Sequence, residues 1–200
     1  MFCKQCGAEA GGNFCSTCGA ALGQPSGGDW SNEVLYANII QNPAVQDLIK
    51  QHAANSKKRL SGEEFLGLAE SILPVNVPMK TIAKRVIPFY AKMGLKTGKN
   101  LSKNLPDVPV GTALIAALCS FAKHGQSLRG VRQLENGCQL EASIPSDMFA
   151  VEGFLNVTVV REGNGVYVEA STLIEGQIYD WGKSKRCLES LVNDIASILA

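Results

Sequence analysis

Apolar residues recur along this chain with two different periods, and the change from one to the other divides it. From Trp30 the spacing is helical: Val34, Leu35, Ile39 and Ile40 fall on one stripe. Asn42-Pro43 reads as an N-cap followed by proline at the first helical position, which predicts a second helix from Pro43 to about Ala54. Ser61-Gly62-Glu63-Glu64 has the form of a capping box and opens a helix whose buried face carries Phe65, Leu68, Ala69 and Ile72. Pro74 ends it. From Pro78 the pattern predicts a basic amphipathic helix, with Ile82, Val86, Phe89 and Met93 on one face and Lys80, Lys84, Arg85, Lys92 and Lys96 around the rest. Pro88 should kink or divide that helix.

The apolar run from Val110 to Ala122 predicts a buried helix that closes near His124-Gly125; a bilayer span would need ~20 apolar residues. After it the period drops to two. Leu128–Leu134 and Cys138–Ile144 flank Asn136-Gly137, a strong hairpin signal, with Cys138, Leu140, Ala142 and Ile144 alternating inward. A second hairpin joins Phe154–Val160 to Val166–Ile174 through Gly163-Asn164-Gly165 and places Val166, Val168, Ala170, Thr172 and Ile174 on one face. A last helix from about Lys183 aligns Leu188, Leu191, Ile195 and Leu199, and Asp180-Trp181-Gly182 reads as the corner leading into it. The order α-β-β-β-β-α predicts an α+β domain over 108–200, an antiparallel four-stranded sheet packed with helices, behind a basic helical segment over 31–107.

The first residues follow neither period. Cys3-Lys4-Gln5-Cys6-Gly7 and Cys15-Ser16-Thr17-Cys18-Gly19 are two Cys-x-x-Cys knuckles, each able to turn two thiolates toward one point. Four thiolates at Cys3, Cys6, Cys15 and Cys18 predict one structural Zn2+, although the ligand spacing alone also fits iron. A module of about 22 residues has almost no core. Metal binding would supply most of its folding free energy, on the order of 10 kcal/mol. Residues 23–30 have the glycine- and serine-rich composition of a flexible linker. Cys119, Cys138 and Cys187 lack partners at ligand spacing, and the chain opens on the cysteine pattern in place of a basic and apolar leader. A reducing, cytoplasmic location is the expectation.

Charge is unevenly spread. Residues 50–103 hold eleven Lys or Arg against three Glu, a net of +8, whereas 104–200 carry a net of −4. Lys99 and Lys103 extend the basic stretch beyond its apolar stripe, so Lys80, Lys84, Arg85, Lys92, Lys96 and Lys99 are candidate anion-binding residues. Gly94–Asn100 departs from a phosphate loop in glycine spacing, in the Asn100 that stands where Ser or Thr would hold magnesium, and in its preceding helix. His52 and His124 sit beside no carboxylate or cysteine motif, and no nucleophile–base pair can be assembled.

Met-Phe-Cys-Lys-Gln-Cys-Gly with Phe-Cys-Ser-Thr-Cys-Gly resembles the short zinc-ribbon modules that begin many bacterial proteins. The part from Gly111 to Asp180-Trp181-Gly182-Lys183-Ser184-Lys185-Arg186 resembles a bacterial domain family of unknown function with START and Bet v 1-like helix-grip character. The first likeness implies a metal. The second implies an apolar ligand held between sheet and helix. Three binding functions follow as expectations: an adaptor whose zinc ribbon and basic helices contact protein or nucleic acid, a carrier or sensor of an apolar small molecule, or a peripheral protein on an anionic membrane surface.

Overall fold

The computed structural model describes residues 30–54, 56, 60–76, 98–146, 152–174 and 182–199. A short 3-10 turn at Trp30–Asn32 leads into helices α1 (Tyr36–Gln41), α2 (Pro43–Ala54) and α3 (Gly62–Ser71). Local chemistry sets these boundaries as the sequence indicates. The Asn42 side chain accepts from Ala44 N at 3.0 Å, and Ser61 and Glu64 exchange both bonds of the capping box. A two-residue strand β1 (Val75–Asn76) follows, then β2 (Asn100–Leu105), helix α4 (Val110–Lys123), strands β3 (Leu128–Leu134), β4 (Gly137–Ile144), β5 (Gly153–Glu162) and β6 (Gly165–Ile174), and helix α5 (Lys183–Leu199). The class is α+β.

The sheet runs β1-β3-β4-β5-β6-β2, with five antiparallel strands, β2 to β6, and β1 added parallel to β3. Four antiparallel strands were expected, and the fifth comes from residues that the sequence pattern assigns to the basic helical segment. Asn100–Leu105 lies along β6, Asn100 facing Ser171 and Leu105 facing Val166. As an edge strand it needs one neighbour and a thin apolar face, here the half-buried Leu101 and Leu105, so its alternation is weak. Lys103 shares their register side, opposite Val168, and remains exposed.

Twelve of the fourteen residues of α4 are buried, because it has neighbours on several sides. The inner face of β4, β5 and β6 lies under it, α5 flanks it, and α2 covers it from the far side. One core cluster accordingly runs from Tyr36, Ile39 and Phe65 through Leu114 and Phe121 to Leu140, Val157, Val168, Leu191 and Ile195. Residues 31–76 thus contribute to the same core as the sheet.

The predicted alternation holds on β6, where Val166, Val168, Ala170, Thr172 and Ile174 are all buried. Both hairpins occur, for partly different reasons. In the second, Gly163 turns at φ 58 in the first central position, as a II′ turn requires. In the first, Leu134 pairs with Gly137, so the turn residues are Glu135 and Asn136, and neither adopts positive φ. Gly137 serves a neighbouring strand: a Cβ there would lie 2.0 Å from Val159 O. Gly182, at φ 75, makes the sharp entry to α5, and the proposed partners Asp180 and Trp181 lie outside the described residues.

A buried glutamine ties the N-terminal helices to the first hairpin. Gln133 is 7% exposed, and its Oε1 accepts from Tyr36 N at 3.0 Å while its Nε2 donates to Val34 O, Leu134 O and Gly137 O. Tyr36 in turn donates from its hydroxyl to Ala69 O at 2.8 Å, and burial pushes that hydroxyl well above the ordinary tyrosine range. All polar groups of Gln133 are used, as low-dielectric surroundings demand.

Candidate functional site

Cys3, Cys6, Cys15 and Cys18 lie outside the described residues, as do Lys80, Lys84, Arg85, Lys92 and Lys96. Among the described residues, no three His, Cys, Asp or Glu side chains come together in a group able to hold a metal ion. Lys99 is the one anion-binding candidate whose surroundings are described. It is exposed and leads into β2, its carbonyl accepting from Thr172 N at 2.9 Å and its N–H approaching Thr172 Oγ1 at 3.3 Å. Its basic side chain therefore stands on a sheet edge.

The two buried thiols are poor nucleophiles. Burial pushes both Cys119 and Cys138 up to about 12, so each is a protonated core side chain. Cys187 is half-buried and receives the Gln126 side-chain amide at 3.3 Å.

A polar cluster that sequence spacing does not indicate joins α4 to α5. Asp194, 6% exposed, accepts from Ser120 Oγ at 2.9 Å and from Lys123 Nζ, and its Oδ2 lies 2.8 Å from His124 Nε2. Burial by itself would raise the Asp194 carboxyl, but the bonds from Lys123, Ser120 and His124 outweigh it and hold the group below its ordinary value. The three partners are 70 to 74 residues distant in the chain, although they sit within two turns on α4 and its cap. Ser120 is 1% exposed and bonds to the aspartate, so the arrangement is a latch between helices. His124, which the sequence places at a helix end, is the cap of α4 and also a member of this latch.

The other feature with binding geometry lies on the sheet face away from α4. Register places Arg132, Gln139 and Thr158 in one row there, and Gly130, Glu141 and Asn156 in the next. Where Gly130 lacks a side chain, an open depression of about 380 Å³ forms, walled by Arg129, Arg132, Gln139, Glu141, Asn156 and the apolar Ile72, Leu73 and Val75. Leu73 and Val75 are 85% and 61% exposed, the largest exposures among the big apolar side chains described. Arg129 is engaged with Glu152 at 3.0 Å, a solvent-exposed pair of small energetic weight.

No known protein-family model matches the chain, and no curated protein matches it either.

Proposed function

We propose that this is a zinc-binding protein that acts by binding, a non-enzymatic adaptor whose four-cysteine ribbon and basic stretch meet a macromolecular partner, protein or nucleic acid. The observation that carries the reading is the charge of residues 50–103, which ends on Lys99 and Lys103, both exposed at what is, among the described residues, the edge of the sheet. Cations at an open edge leave room for a polyanion to approach. The chemistry of the described thiols and of Asp194 supports binding over catalysis: the buried thiols are protonated, and the carboxylate is committed to Ser120, Lys123 and His124.

A second reading of Lys103 has its own support. Its register puts it on the inner side between Leu101 and Leu105, and an inward charge on an edge strand discourages pairing with another chain. The apolar-carrier alternative draws no support from the sheet–helix interface, where Leu114, Leu118, Leu140, Leu155 and Val157 are at most 1% exposed and fill the space between the layers.

The test is a titration with duplex DNA, with RNA and with vesicles containing anionic lipid, at low and at moderate salt. Expected is an affinity that falls steeply with salt and is lost when Lys84, Arg85, Lys92 and Lys96 are changed together to Glu. Failure to bind any of the three at low ionic strength would leave the basic stretch as a solvated surface.

A further inference from the structure

Gln133 and Gln139 are buried alike, at 7% and 6% exposure, yet they are used differently. The first spends its whole side-chain amide inside the fold. The second, at the floor of the depression over Gly130, has a single weak contact, Arg132 Nη1 to its Oε1 at 3.5 Å. Among the described residues its N–H2 meets no acceptor. A buried donor left so is costly, and it points to an acceptor that belongs to something else.

The neighbouring groups are unused as well. That long bond to Gln139 is the guanidinium contact of Arg132, so its fork of N–H donors remains open for a carboxylate. The side chain of Glu141, on the adjacent row, has neither an ion pair nor a hydrogen bond among the described residues, and its Cβ is 3.9 Å from where a Gly130 Cβ would be. The site therefore offers an anion-binding pair, Arg132 and Gln139, one cation-binding group, Glu141, and an apolar wall of Ile72, Leu73 and Val75. A plain anion would be repelled by Glu141, and a plain cation by Arg132.

We propose that the depression over Gly130 binds a free α-amino acid with an apolar side chain. The carboxylate lies on the Arg132 guanidinium and the Gln139 amide, the ammonium on Glu141, and the side chain on Ile72, Leu73 and Val75. This site lies on the outer sheet face, and the inference is independent of the zinc ribbon and of the basic stretch.

Isothermal titration of the full chain with L-leucine tests it. Saturable binding is expected, weakened at least tenfold for 4-methylpentanoate, which lacks the ammonium, for 3-methylbutan-1-amine, which lacks the carboxylate, and for N-acetyl-leucine, which keeps only the carboxylate charge. Arg132→Gln, an exposed position, should also weaken leucine at least tenfold with an unchanged melting curve. Gly130→Val should abolish binding by filling the depression, since a Cβ there meets nothing nearer than Glu141 Cβ at 3.9 Å. Absence of binding at 10 mM leucine overturns the proposal. N-acetyl-leucine binding as tightly as leucine overturns it too, because Glu141 would then have no role. Leucine binding unaffected by Arg132→Gln places the ligand elsewhere and overturns it as well.

Discussion

Replacing Asp194 by Ala removes the carboxylate that bonds the end of α4 to α5. Ser120, 1% exposed, is left with a buried hydroxyl and no acceptor, which costs about 1–3 kcal/mol. Lys123 and His124 have side chains 39% and 37% exposed, so both regain water, and the lost Lys123 ion pair and His124 hydrogen bond add less than about 1 kcal/mol together. The total is about 1–4 kcal/mol, or a fall in Tm of roughly 2–16 °C for a chain of this size. Urea and thermal unfolding followed by circular dichroism measure it. Adding Ser120→Ala to Asp194→Ala should restore about 1 kcal/mol, because the orphaned hydroxyl is then gone. The latch also makes stability depend on pH. The folded Asp194 carboxyl titrates below its ordinary value of 3.8, so its contribution is fully present above about pH 5 and is lost as pH falls through the lower folded value. An Asp194→Ala variant as stable as the unmodified protein at pH 7, or a double variant less stable than the single, would refute this account of the latch.

Four further outcomes are expected. Cys6→Ser should abolish zinc binding, read as metal per chain by elemental analysis, while the melting of the α+β core stays unchanged. Gln133→Leu should destabilise by about 3 kcal/mol in urea unfolding, since it strands Tyr36 N–H, which is bonded to the lost Oε1. Ser61→Ala should cost about 1 kcal/mol in the same assay by removing the cap at Glu64 N, with no change in ligand or metal binding. Lys103→Ile should leave Tm near that of the parent and raise the aggregation rate seen by light scattering, as expected if the charge protects the sheet edge.

Regular periodicity made most of the architecture readable. Val166 to Ile174 alternate cleanly because one face meets α4 and α5 while the other does not, and α4 announces itself through an unbroken apolar run. Asn100–Leu105 escaped because polar residues separate its two leucines and a basic stretch precedes it, so only its pairing with β6 reveals a strand. Asn136-Gly137 marks the first hairpin, but the constraint on its glycine comes from Val159 on β5, outside that hairpin. Asp194 was invisible for the same kind of cause: three partners 70 to 74 residues away leave no local spacing. The depression over Gly130 was equally hidden, being defined by a missing side chain between rows that only register brings together.

The pairing of β2 with β6 has a consequence for how the chain is made. β2 leaves the ribosome before α4, yet its hydrogen-bonding partner is the last strand of the sheet, and Asn100 must wait for Ser171. At roughly 5–20 residues per second, the stretch from Lys123 to Ile174 takes about 3–10 s to synthesise, and for that time α4 lacks the complete sheet it lies on. An apolar helix waiting that long is a target for aggregation. α2 has already emerged by then, and it covers the far side of α4 in the finished protein. The N-terminal helices are thus in position to shield α4 from its neighbours in the polysome until the hairpins close beneath it.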